Sequence, residues 1–155
     1  MKRISLFLLA LILVVIVSAC APKAPEADVN FNAVISEIER SVGFVDHMVD
    51  MTASDIQLLY GIQGSEILQY AGKYNDSGVL ADEVILLEAV DEATAADVRD
   101  RVQLRYDSKA AEMKDYLPQE YSKLTACEVV QTGRFVSMFI ASDAQAMRDI
   151  YNAAF

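Results

Sequence analysis

A chain of 155 residues suffices for one domain and is short for two, and its 23 acidic residues against 13 basic ones give a formal net charge of −10. An acidic body repels phosphate backbones and anionic lipid headgroups, which argues against a nucleic-acid partner and leaves basic partners or metal cations open. The plainest consequence of the charge is solubility.

Met1 to Cys20 reads MKRISLFLLALILVVIVSAC. Lys2 and Arg3 form a positive head, and Ile4 to Val17 form an apolar run of signal-peptide length, short of the ~20 residues of a membrane span. An uncleaved anchor would have to run on through Ala21 to reach that length. The run ends in VSAC, Val17 to Cys20, which resembles the lipobox of bacterial lipoproteins. That resemblance implies a diacylglyceryl thioether on Cys20, acyl chains of the palmitate kind, and cleavage that leaves Cys20 as the first residue. Small residues at Ser18 and Ala19 suit an extended passage through a peptidase cleft, and only a thiolate is nucleophilic enough for the thioether. Two acyl chains, at ~0.8 kcal/mol per buried methylene, hold a domain stably on a membrane. Ordinary cleavage after Ala19 and release in soluble form is the competing outcome. Loss of Lys2 and Arg3 leaves 23 acids against 11 bases, a net charge of −12. The expected division is a signal peptide over 1–19, a lipid-anchored linker over 20–29 and a single domain over 30–155. The linker holds two prolines in APKAPEAD, which favour an extended spacer.

In the body, Phe31, Val34, Ile35, Ile38 and Val42 recur at helical spacing and predict an amphipathic helix over Asn30–Gly43. Thr52 with Asp55 is a capping pattern that opens a short helix through Ile56, Leu58 and Leu59, stopped at Tyr60–Gly61. Ile67–Tyr74 alternates Leu68, Tyr70 and Tyr74 as a strand with Gly72 as a weak point, and Asn75–Gly78 is turn chemistry. Glu83–Val90 is a nearly continuous apolar run, the mark of a central strand. Thr94–Leu117 is the longest helix, capped by Thr94 and Asp97 and striped by Val98, Val102, Tyr106, Ala110, Met113 and Leu117. Pro118 opens a short helix through Leu124. Ala126–Gln131 and Arg134–Ile140 predict a hairpin joined by Thr132–Gly133. Ser142–Gln145 has the form of a capping box, before a last helix that buries Met147, Ile150, Tyr151 and Ala154.

The expected fold is therefore α+β: a four-stranded antiparallel sheet of two hairpin pairs, with helices packed on one face. Strand orders 1-2-4-3 and 2-1-3-4 both keep every neighbour antiparallel. LYGI at Leu59–Ile62, ADEVILLEAVD at Ala81–Asp91, Arg105 on the long helix, DYLPQE at Asp115–Glu120 and TGRFVSMFIASD at Thr132–Asp143 follow in an order that resembles the family known as domain of unknown function 4358. That resemblance covers about Phe31 to the C-terminus. It implies a small bacterial lipoprotein and carries no activity.

Few residues invite chemistry. His47, the only histidine, stands between Asp46 and Asp50, yet no Cys/His cluster accompanies it, so a surface histidine is the simpler expectation. With Cys20 lipidated, Cys127 has no disulfide partner; its place in an apolar strand pattern predicts a buried, inert thiol. YNDSG at Tyr74–Gly78, with Asp82 and Glu83, gathers oxygens as calcium sites do, without EF-hand spacing, and a solvated turn is simpler. Arg105 lies at the margin of the long helix's apolar stripe, on one row with Val98 and Tyr116. Such an arginine pairs with a carboxylate from the sheet or the short helix, or binds a ligand beside Tyr60 or Tyr116. No cofactor is implied. The expected protein is a non-enzymatic module on the extracytoplasmic side of the cell membrane, binding an envelope protein or a small ligand. The alternative is a small envelope hydrolase using Cys127 or paired carboxylates.

Overall fold

The computed structural model describes residues 28–155. The signal segment, Cys20 and the linker as far as residue 27 lie outside the described residues. The elements run α1 (Phe31–Ser41), β1 (Met48–Asp50), α2 (Ala53–Tyr60), a 3₁₀ turn (Gly64–Glu66), β2 (Ile67–Asn75) and β3 (Glu83–Ala89). They continue α3 (Glu92–Tyr116), α4 (Pro118–Thr125), β4 (Val129–Thr132), β5 (Phe135–Ile140) and α5 (Ala144–Asn152). Val29, the last residue of the expected linker, is buried, and its carbonyl accepts a hydrogen bond from Gln69 Nε2 at 2.7 Å.

The sheet is antiparallel with order β1-β2-β3-β5-β4. It has five strands where four were expected. The four expected strands take the first of the two open orders, and β1 is added at the β2 edge, pairing Met48–Asp50 with Asn75–Lys73. Three residues are too few to show a period of two, so β1 leaves no pattern in the sequence. It forms because β2 is nine residues long and offers its far end as a template.

Helices cover both faces, not one. β3 and β5 are buried at every residue, which requires cover on each side. Alternation sorts the two faces. Glu83, Ile85 and Leu87 stand opposite Ile140, Met138 and Val136 in register, and Glu83 meets Arg105 and Lys109 of α3 and Tyr60 of α2. On the other face Phe135 and Phe139 pack against Phe31 of α1 and Tyr151 of α5, with ring centroids 5.8–6.3 Å apart. Such aromatic contacts add about 0.5–1.5 kcal/mol each beyond the area they bury.

Local chemistry sets the element ends. Asn30 caps α1 by accepting the Ala33 N–H at 3.1 Å. Thr52 and Asp55 form the expected capping box on α2, and Gly61 closes that helix in the left-handed region at φ 69°. α3 starts earlier than expected: Asp91 is the cap, accepting the Thr94 N–H at 2.7 Å. The expected box at Ser142–Gln145 does not form; Asp143 precedes α5 without a side-chain cap. β4 starts at Val129, which leaves Cys127 in the turn after α4 rather than in the strand.

Candidate functional site

Two of the residues that sequence singles out, Tyr60 and Arg105, converge on one buried carboxylate. Glu83 opens β3 and is fully buried. Its Oε1 accepts from Tyr60 Oη at 2.6 Å and from Arg105 Nε at 3.2 Å; its Oε2 accepts from Arg105 Nη2 at 2.9 Å and Lys109 Nζ at 2.6 Å. Arg105 and Lys109 are one helical turn apart on α3, so both reach the same carboxylate. Lys109 also donates to the Ala81 carbonyl at 3.0 Å. Burial pushes the Glu83 carboxyl up; the Arg105 and Lys109 cations together outweigh it and hold the group below the ordinary carboxylate value. Burial, then the Glu83 charge, raises the Tyr60 phenol well above its ordinary value, which keeps it a proton donor to Glu83.

A second ion cluster adjoins the first. Lys123 of α4 lies 2.6 Å from Asp82 and 2.9 Å from Glu120, and Glu120 accepts the Ala81 N–H at 2.8 Å. The three residues Ala81–Glu83 are thus fixed by side chains from α3 and α4. Asp82 and Glu83 point inward to cations, so the solvated turn expected for them ends before Asp82. No group of three His, Cys, Asp or Glu residues placed to hold a metal occurs among the described residues.

Sequence therefore identifies Tyr60 and Arg105 as neighbours, while Tyr116 is 82% exposed and lies apart on an open cleft beside Val79 and Pro118. Glu83, Lys109, Asp82, Glu120 and Lys123 escape sequence reading as a network. The available signal was a carboxylate pair heading a buried strand together with two cations four apart on the facing helix. Cys127 is buried, its Sγ 3.2 Å from the Lys123 carbonyl, and burial raises its thiol pKa. His47 is exposed, in a left-handed backbone at φ 64°, with its ring 4.0 Å from Asp76. Neither residue meets the other or the Glu83 cluster.

A separate concavity lies along β2. A cavity of about 510 Å³ runs along the outer edge of β2 from Ile67 to Gly72, walled by Asn32 and Ile35 of α1 and by Ala53 and Ile56 of α2. Its volume is in the range of ligand and peptide sites. At its end, Gly72 packs tightly: a Cβ there would meet the Val84 carbonyl oxygen at 2.5 Å and Met51 Sδ at 3.1 Å, so only glycine lets β2 lie this close to its neighbours. No helix among the described residues is long and apolar enough to cross a membrane.

No curated protein and no solved structure matches the chain. One family model does, over residues 41–141, a span that holds the whole Glu83 cluster and the β2 edge of the groove. The chain belongs to the family described as Domain of unknown function (DUF4358).

Proposed function

We propose that the protein is a lipid-anchored module on the extracytoplasmic side of the cell membrane that binds a partner in the envelope and does not turn over a substrate. The observation that carries the binding half is the groove along β2, which is open while the charged side chains that a hydrolase would need are engaged with one another. Glu83 is closed off by Tyr60, Arg105 and Lys109, and Cys127 is buried with a raised pKa. A catalytic thiol needs the opposite, an accessible sulfur with a depressed pKa. The anchoring half rests on the apolar N-terminal run and VSAC.

Two measurements test the halves separately. In detergent phase partitioning the wild type enters the detergent phase and Cys20→Ala does not; equal partitioning of the two removes the anchor. In a thermal-shift screen of the full chain against peptides, sugars, amino acids and metals, a specific ligand raises the melting temperature by mass action. A substrate consumed by the wild type and left intact by Cys127→Ser would replace the binding reading with the hydrolase.

A further inference from the structure

We infer that the outer edge of β2 is a strand-addition site for an extended, basic peptide segment, which rests on the binding reading above and names its partner by chemistry. β1 covers only Lys73–Asn75 of the nine residues of β2. Past it, Met51 N–H donates to the Gly72 carbonyl at 2.9 Å, and the chain then turns away into α2. Asn75 N–H donates to Asp82 on the inner side, so by alternation Lys73 and Ala71 turn their backbone groups to β3 while Gly72 and Tyr70 turn theirs outward. Met51 already occupies the outer side of Gly72, which leaves the Tyr70 N–H and C=O as the outward groups with no backbone partner among the described residues. An edge of this kind is a template for another strand.

The shape of the edge chooses the occupant. Tyr70 lines the groove together with Asn32 and Ile35 of α1 and Ala53 and Ile56 of α2. With helices on either side of the edge, a single extended chain meets less obstruction than the edge of a second sheet carrying its own covering helices. The described residues hold 22 acids against 10 bases, so the attraction comes from the net charge of the domain; Asp50 at the rim is itself paired with Lys73 at 2.8 Å. A second copy of this chain is repelled, and a lysine- or arginine-bearing segment is attracted. Side chains of an added strand alternate between the two walls, so aliphatic residues at every second position would meet Ile35 or Ile56.

The test uses the full chain and three synthetic octapeptides: alternating Val and Lys, the same peptide with alternate backbone nitrogens methylated, and alternating Val and Glu. Amide hydrogen exchange is read across the domain. The Val/Lys peptide at saturation slows exchange of Tyr70 by about tenfold or more, and the other two peptides bind at least about tenfold more weakly. Equal binding of the methylated peptide overturns the inference, because strand addition needs those donors. Protection confined to another surface also overturns it and leaves the binding reading standing. Absence of protection by the Val/Lys peptide at ~1 mM overturns it as well. Protection of Tyr70 that grows with protein concentration alone would make a second copy the occupant and overturn the inference in favour of self-association.

Discussion

Replacing Glu83 by glutamine keeps the shape of the side chain and removes one charge from the middle of the domain. Arg105 and Lys109 then face a neutral amide; Lys109 is 8% exposed in its side chain and Arg105 25%. Removing one partner of a buried ion pair costs about 3–5 kcal/mol. Arg105 retains access to water and Lys109 retains the Ala81 carbonyl, which places Glu83→Gln near the lower end, about 3 kcal/mol. Arg105→Ala is milder at about 2 kcal/mol, because Lys109 and Tyr60 still satisfy the carboxylate and the loss is charged hydrogen bonds plus the packed stem. Replacing all four members together by apolar residues of similar volume, Tyr60→Phe, Glu83→Leu, Arg105→Met and Lys109→Met, comes within about 1 kcal/mol of wild type, since no orphaned charge remains. Urea unfolding followed by far-ultraviolet circular dichroism gives the three values. The acid limb supplies a second readout. The Glu83 pKa lies below its ordinary value in the folded state, so its contribution is full above the ordinary carboxylate range and is lost as pH falls through the folded value. The gap between wild type and Glu83→Gln therefore narrows on acidification. A Glu83→Gln protein within 0.5 kcal/mol of wild type, on the order of ordinary surface substitutions, or an Arg105→Ala protein less stable than Glu83→Gln, would refute this account of the cluster.

Three further outcomes follow from neighbouring geometry. Arg101 holds Glu66 at 2.5 Å and, with the Gln63 N–H, lowers its pKa to about 2; the stability this gives is present above the ordinary carboxylate value and lost as pH drops toward 2. The pair is partly exposed, so Arg101→Ala costs about 1 kcal/mol or less at neutral pH and shifts the acid unfolding midpoint upward. Gly72→Ala forces a Cβ against the Val84 carbonyl and lowers stability by about 2 kcal/mol or more, read as a lower urea midpoint. Cys127 reacts with iodoacetamide slowly in the folded protein near neutral pH and quickly in denaturant, by mass spectrometry; labelling faster than free cysteine in the folded state would reopen the thiol-enzyme reading.

Much of this architecture is written in local pattern. The five helices and four of the strands declare themselves through apolar period, the Thr52 box, Pro118 and Gly133, because these signals act within a few residues. What the pattern hides is set at long range. Met48–Asp50 becomes a strand because the outer side of Lys73–Asn75, whose inner side faces β3, is free to pair with it. The second layer of helices is implied only by Glu83–Ala89 and Phe135–Ile140 being apolar on both sides, which a half-covered strand would not be. Arg105 at the stripe's margin announces a carboxylate partner without saying which, and Glu83, at the head of a buried strand, is one candidate among 22 acids of the described domain. Tyr116 shares Arg105's helical row yet is 82% exposed, as the last residue of α3. The groove carries no motif at all, because backbone groups left unpaired at an edge depend on where β1 stops.

The strand order also governs when the fold can close. β3 pairs on one side with β2, across a short turn, and on the other with β5, which follows only after α3, α4 and β4. The Glu83 carboxylate likewise waits for α3 to bring its cations. During synthesis from the N-terminus, a β2–β3 hairpin is complete while Val84–Leu87 still lack the strand that will flank them, and a long loop must be closed to supply it. Folding is thus expected to be slow for a domain of this size and to be completed only once the last third of the chain is available. A chain truncated before Phe135 would expose that apolar edge and aggregate rather than fold.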